Sequence, residues 1–145
     1  MSYSVDVNVL LYASDRASPR HADARRFVED RPSDPDLFCL TWLTLMSYLR
    51  IATHPRIFSA PLSPDEATGN VQALLGLPRV RVLGEGDGFL DVYRDVTKDL
   101  PARGNVVPDA HLASLLRQHG VGTLYTADRD FLRFPFLSVR DPFVG

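Results

Sequence analysis

The stretch Tyr3-Ser4-Val5-Asp6-Val7-Asn8-Val9-Leu10-Leu11-Tyr12 decides how the rest of the chain is read. Tyr3-Ser4-Val5 has the pattern of a short strand that ends on an acid, Asp6, and Asn8 to Ala13 then turns helical. The same alternation recurs downstream. Leu37-Phe38-Cys39-Leu40 is a buried strand by length and composition, and Thr41 or Thr44 opens a helix that runs to about His54-Pro55. Pro55 ends it because proline disfavours helical backbone at the residue before it. Val80 to Leu83 is a third strand, followed by a helix from Gly88 to Leu100. Gly122 to Thr126 is a fourth, followed by a short helical turn at Asp130-Phe131-Leu132.

Three further helices fill the intervals. His21 to Asp30 is amphipathic, with Ala24, Phe27 and Val28 as its apolar stripe. Ser63-Pro64-Asp65-Glu66 supplies an N-cap serine, a proline at the first helical position and a capping-box glutamate, opening a helix that ends near Gly76. Asn105 to Asp109 leads into a helix carrying Leu112, Leu115 and Leu116, which Gly120 stops. Strands separated by helices in this order imply an α/β fold with a central, mainly parallel sheet covered on both faces. Its 145 residues make one domain, 1–145, because no repeat, charge block or Gly/Ser linker divides them.

With 45% of the residues hydrophobic, the chain has enough apolar surface to fold, and disorder is excluded. No apolar run approaches the roughly 20 residues needed to span a bilayer, and Met1 to Asp6 lacks the basic start of a secretory leader. Cys39 is the only cysteine, so neither a disulfide framework nor a thiolate zinc site is expected. These features place the domain in a reducing compartment, the cytoplasm, away from membranes. Net charge is −2, from 16 basic and 18 acidic residues, and by itself decides nothing about nucleic acid. Four carboxylates gathered around a cation would leave a surface of about +2.

In open parallel sheets, sites form beyond the carboxyl ends of the strands. Asp6 ends the first strand, Asp128 follows the fourth, Asp109 opens a long helix and Asp130 lies two residues past Asp128. Each has a local explanation: a turn cap for Asp6, the helix dipole for Asp109, an Asx turn for Asp128. Together they read differently. Three carboxylates at about 5 Å, with an effective dielectric near 20, repel by roughly 3 kcal/mol per pair. Protonation or a hard, oxygen-seeking cation such as Mg²⁺ or Mn²⁺ must relieve that. Such a cation suits phosphoryl chemistry. A Walker-type glycine loop is absent, as are the HxH, HExxH and CxxC spacings, which leaves hydrolysis of a phosphodiester.

Four blocks then carry a family resemblance: Val5 to Tyr12, Arg50-Ile51-Ala52-Thr53-His54-Pro55-Arg56-Ile57-Phe58, Val107-Pro108-Asp109-Ala110-His111-Leu112-Ala113, and Thr126-Ala127-Asp128-Arg129-Asp130-Phe131. In order and spacing, over nearly the whole chain, they resemble the PIN-domain toxins of VapBC type. The resemblance implies a PIN-like three-layer α/β/α fold with four or five strands. It also implies a Mg²⁺-dependent endoribonuclease that is the toxin of a type II toxin–antitoxin pair, usually homodimeric, with RNA as substrate and a VapB-type antitoxin as partner. By matching motif, Asp6, Asp109 and Asp128 take the metal-site positions. One position departs from the pattern. The glutamate that such toxins carry three residues before the arginine of the second block is Ser47 here, and no acid occurs between Asp36 and Asp65. Either three carboxylates suffice or Asp130 joins the catalytic set; Glu85 and Asp87, after the third strand, are weaker substitutes.

Asn8 and Thr126 adjoin two of the acids, as orienting donors or simple turn formers. Arg16, Arg20, Arg25 and Arg26 read as an RNA path or as a solvated helix face; Trp42 and Tyr48 as base-stacking groups, core or dimer interface; Phe131, Phe134 and Phe136 as core. A metal-free rival would use paired histidines, but His111 and His119 lie eight apart on one helix, over two turns, and His54 shapes a turn. A non-enzymatic rival is a PIN-like module that has lost catalysis and binds RNA or a partner.

Overall fold

The computed structural model of the chain describes residues 1–143. Five strands run parallel among them: β1 (Ser2–Val5), β2 (Leu37–Thr41), β3 (Val80–Leu83), β4 (Thr123–Tyr125) and β5 (Ser138–Arg140), in the order β3-β2-β1-β4-β5. The helices are α1 (Val7–Ser14), α2 (His21–Glu29), α3 (Trp42–Ala52), α4 (Pro64–Leu75), α5 (Phe89–Thr97) and α6 (Val106–Gln118). Short 3₁₀ turns lie at Arg31–Ser33 and Arg129–Arg133.

Strand alternation builds the layers. Tyr3, Val5, Phe38 and Leu40 point to a cluster filled by Val9, Leu10 and Leu11 of α1, Phe27 of α2, Leu45 and Tyr48 of α3, and Val71 and Leu74 of α4. Cys39, Leu83 and Leu124 point the other way, onto Ala110, Leu112, Ala113 and Leu116 of α6 and onto Phe131 and Phe134. The sheet is thus covered on both faces, as a parallel sheet must be.

The predicted helix signals act as read. Ser63 accepts from the Glu66 N–H at 3.1 Å, and Glu66 accepts from the Ser63 N–H at 3.1 Å, closing a capping box. Gly120 follows the α6 cap with φ +70°, a left-handed turn that suits glycine. Several elements differ from the sequence reading; the helix expected from Gly88 to Leu100, for one, spans Phe89–Thr97. α6 begins at Val106, so Asp109 lies within its first turn rather than before it. Pro108 is tolerated there because the first helical N–H groups have no partner to lose. β5 had no separate place in the pattern, since Ser138-Val139-Arg140 is short, on the sheet edge and only partly covered. It belongs to the upper of the two expected strand counts.

The topology places the site. From β1 the chain builds outward to β2 and β3, then returns across α5 and α6 to β4 on the other side of β1. The direction of winding therefore reverses between β1 and β4, where helices diverge and leave a crevice at the carboxyl strand ends. Val5 is in register with Tyr125, and the Asp6 N–H donates to the Tyr125 carbonyl at 3.0 Å.

Candidate metal centre

Asp6 and Thr126 leave neighbouring strands at the same level, and their side chains meet. The Thr126 hydroxyl, buried, donates to Asp6 Oδ2 at 2.8 Å, and its oxygen accepts the Asp128 N–H at 2.9 Å. One hydroxyl thereby ties the acid after β1 to the acid after β4. Asp6 Oδ1 accepts the Val7 N–H at 2.7 Å and caps α1, while Asp128 Oδ1 accepts the Asp130 N–H at 2.9 Å. The local roles expected of these acids are therefore real, yet they do not keep the acids apart.

Asp109 comes in from α6. One oxygen each of Asp109, Asp128 and Asp130 lie within 4.8 Å of one another, a set able to grip one ion. Asp6 stands outside that set but within electrostatic reach: its charge raises the pKa of Asp109, and Asp128 raises that of Asp6. Burial is the larger cause for both. It pushes Asp6 up against the opposing bonds from Thr126 and Val7, and it pushes Asp109, with help from Asp128 and Asp6, to about 6. Arg133, 3.8 Å from Asp109 and 3.3 Å from Asp130, partly offsets this. Sequence reading missed Arg133. Its signal was an arginine three residues after Asp130, the spacing of one helical turn.

The other singled-out residues divide. Ser47 lies on α3, on the wall of a cleft shared with Trp42, Met46, Arg50, Glu85 and His111. Glu85 is engaged by His111 at 2.6 Å, which holds its carboxyl below the usual range, and it does not join the aspartates. His119 bonds the Gly84 carbonyl, beside Glu85, so His111 and His119 both hold the loop after β3, whereas His54 Nδ1 accepts the Arg56 N–H in a separate turn. Tyr48, Phe131 and Phe134 are core, with the Tyr48 hydroxyl bonded to Ser14 and Asn70, whereas Trp42 is 49% exposed. Arg25 and Arg26 pair with Glu29 and Asp23 on the solvated face of α2, and Arg20 packs over Tyr12 and Phe143. No hydrogen bond of the Asn8 side chain occurs among the described residues.

Asp109 predicts a pH signature. Its folded pKa, about 6, exceeds its ordinary 3.8, so between these values the folded chain binds more protons than the unfolded. Its contribution to stability is present at low pH and is lost as pH rises through 6. In EDTA, the melting temperature of the wild type minus that of Asp109→Asn should fall from pH 4.5 to pH 7, and a flat difference would contradict the placement. Protons should also compete with metal there, weakening Mn²⁺ binding by about tenfold between pH 7 and pH 5.

Comparisons with known proteins give the family and the fold. Residues 3–137 match the PIN domain family. The whole chain is 46% identical over 145 residues to Ribonuclease VapC48 of Mycobacterium tuberculosis, covering 100% of both. This chain is a PIN domain of the VapC family. Ribonuclease VapC43 of the same organism is 37% identical over 141 residues, covering 97% of this chain and 95% of the relative. Two solved structures share the fold of this PIN domain. VapBC2 from Rickettsia felis, bound to a DNA fragment from its promoter, superposes with a TM-score of 0.70 at 16% identity, over 97% of this chain and 98% of that one. VapC20 of M. tuberculosis, a sarcin–ricin loop cleaving toxin, gives 0.68 at 18% identity, over 95% and 98%.

Proposed function

We propose that this PIN domain is a metal-dependent endoribonuclease, the toxin of a toxin–antitoxin pair, using Mg²⁺ or Mn²⁺ held by Asp6, Asp109 and Asp128, with Asp130 as an added acid. The observation that carries the reading is that Asp109 from α6 and Asp128 and Asp130 from the turn after β4 bring carboxylate oxygens within 4.8 Å of one another, with Asp6 after β1 near enough to help push Asp109, already raised by burial, to about 6. Aspartate oxygens are the donors a hard divalent ion prefers, and buried like charges without such an ion are costly. Held by these aspartates, Mg²⁺ would supply an acidified water and offset charge on phosphate oxygens. The chain's own part is orientation. Thr126 fixes Asp6 and Asp128 relative to one another, and α6 delivers Asp109 to them.

Hydrolysis by this route joins a water oxygen to phosphorus and breaks the bond to the 3′ oxygen, leaving a 5′-phosphate. Purified protein should cleave RNA in Mg²⁺ or Mn²⁺, stop in EDTA, and yield ends that ligate through a 5′-phosphate. Cyclic 2′,3′-phosphates formed in EDTA would instead favour histidine catalysis. RNA binding with no cleavage, unchanged by Asp109→Ala, would favour the catalytically weakened module.

A VapB-type antitoxin is the proposed partner, as the names of the VapC relatives and the VapBC likeness suggest. The acidic crevice suits an arginine from its tail, which would occupy the carboxylates and keep metal out. A homodimer is supported by Trp42 and Met46, exposed and one turn apart on α3; sedimentation at one chain mass would overturn it. Among the described residues no helix is long and apolar enough to cross a membrane.

Ser47 bears on metal affinity. Ser47→Glu should tighten Mg²⁺ about tenfold in a calorimetric titration, by adding one charge-bearing oxygen ligand. An unchanged affinity would mean that position 47 lies outside the metal's reach.

A further inference from the structure

Arg133 is the one basic side chain within 4.0 Å of the clustered aspartates among the described residues. It closes the 3₁₀ turn, Arg129–Arg133, that Asp128 caps and Asp130 belongs to, and is anchored along one edge, where Nε donates to the Asp130 carbonyl at 3.0 Å. From that anchor Nη2 reaches 3.3 Å to Asp130 and 3.8 Å to Asp109, so the guanidinium bridges α6 and the turn after β4. Neither ion pair is tight. Nη1 has no hydrogen-bond acceptor among the described residues, and the side chain is 30% exposed.

The charge arithmetic gives this placement a consequence. Asp6, Asp109, Asp128 and Asp130 bring −4 and Arg133 brings +1, leaving −3 in the crevice. A divalent ion reduces that to −1. A phosphodiester, itself −1, would then approach a site of its own sign, and the cation next to the ion is what offsets the repulsion. A guanidinium held at Nε, with its terminal nitrogens only loosely engaged, can pass those donors to phosphate oxygens without moving its stem, and its charge persists at any working pH.

Resting on the ribonuclease reading above, we propose that Arg133 is a catalytic residue in direct contact with RNA. It bridges Asp109 and Asp130 in the free protein and turns its terminal nitrogens onto a non-bridging oxygen of the scissile phosphate when substrate binds. As a cation it also weakens the hold on the metal. This double role separates it from a merely structural arginine, whose loss would loosen metal and substrate together.

The test measures Mn²⁺ affinity by titration without RNA, cleavage of a single-stranded RNA oligonucleotide in saturating Mn²⁺, and melting temperature, for wild type, Arg133→Ala and Arg133→Lys. Arg133→Ala should bind Mn²⁺ roughly three- to tenfold more tightly, because a neighbouring positive charge is gone. Its kcat should fall by about 10²-fold, the scale seen when one donor to developing charge is removed. Arg133→Lys should keep Mn²⁺ affinity within about twofold of wild type while recovering only part of kcat, since the charge remains and the fork is lost. Weaker Mn²⁺ binding in Arg133→Ala, accompanied by a lower melting temperature, would overturn the proposal in favour of a structural brace. So would a kcat within threefold of wild type. If the wild type itself cleaves nothing in Mn²⁺, the ribonuclease reading fails first and takes this one with it; a cleaving wild type beside an unimpaired Arg133→Ala sinks only the role of Arg133.

Discussion

Asp109→Asn should lower RNA cleavage in saturating Mg²⁺ by roughly 10³-fold, the scale expected for a group that acts on the reacting charge. The isosteric amide fills the same space in the first turn of α6 but carries no charge, so it cannot hold a cation as a carboxylate does. A second consequence runs the opposite way. Asp109 is half-buried beside Asp128 and Asp6, and its carboxyl is pushed to about 6, so ionising it at pH 7.5 works against the fold. The metal-free variant should therefore melt higher than metal-free wild type at pH 7.5, while Mn²⁺ should raise the melting temperature of wild type only. Loss of activity together with gain of stability is the mark of a charge kept for function. A variant that is less stable than wild type and still responds to Mn²⁺ would show that Asp109 serves the fold and not the ion.

Phe131→Ala should cost about 3–5 kcal/mol of unfolding free energy, measured by urea titration, because a phenylalanine lost from a packed core leaves a cavity. Against the roughly 5–15 kcal/mol that holds a domain of this size, that is a large share. Phe131 is 2% exposed and packs with Phe134, Leu112, Leu116 and Leu124 in the cluster beneath α6. Its neighbour in sequence, Asp130, faces the crevice, so a single 3₁₀ turn is pinned by an aromatic on one side and presents carboxylates on the other. Mn²⁺ affinity should fall along with stability, since Asp128, Asp130 and Arg133 all depend on that turn. Phe131→Leu should retain most of both, at a cost below about 1.5 kcal/mol. A stability loss under 1 kcal/mol in Phe131→Ala would mean that the turn is held by its backbone bonds alone.

Much of the architecture was readable before any coordinates. The capping box at Ser63 and Glu66 and the glycine stop at Gly120 act through bonds that span three or four residues, and such signals survive folding unchanged. β2 was plain because Leu37 to Leu40 is apolar throughout, as a strand buried on both faces must be. β5 was not plain, because Ser138-Val139-Arg140 lies on the edge with β4 alone as neighbour, and its pairing is a property of β4 rather than of its own residues. Trp42 shows the same limit from the other side. Its type left core, dimer interface and base stacking open, and packing beside Gly84, after β3, leaves it 49% exposed.

For the site, chemistry was legible residue by residue and geometry was not. That Asp6 and Asp128 end parallel strands follows from hydrophobic pattern, and their position at strand ends marks them as site acids. Which oxygens lie together does not follow, because it depends on strand order. β1 and β4 are neighbours although 120 residues separate Asp6 from Thr126 along the chain, and no local pattern encodes that adjacency. The sequence alone determined the order of the elements as far as β4 and the layer plan, since these rest on periodicity or on caps within a few residues, and it offered Asp6, Asp109, Asp128 and Asp130 as candidate acids. Tertiary structure alone decided that Asp109, Asp128 and Asp130 form the tight set with Asp6 beside it, and that Arg133 lies across two of them. Coulomb energy among carboxylates varies with distances of a few ångströms, and those distances are set by how α6 packs on the sheet.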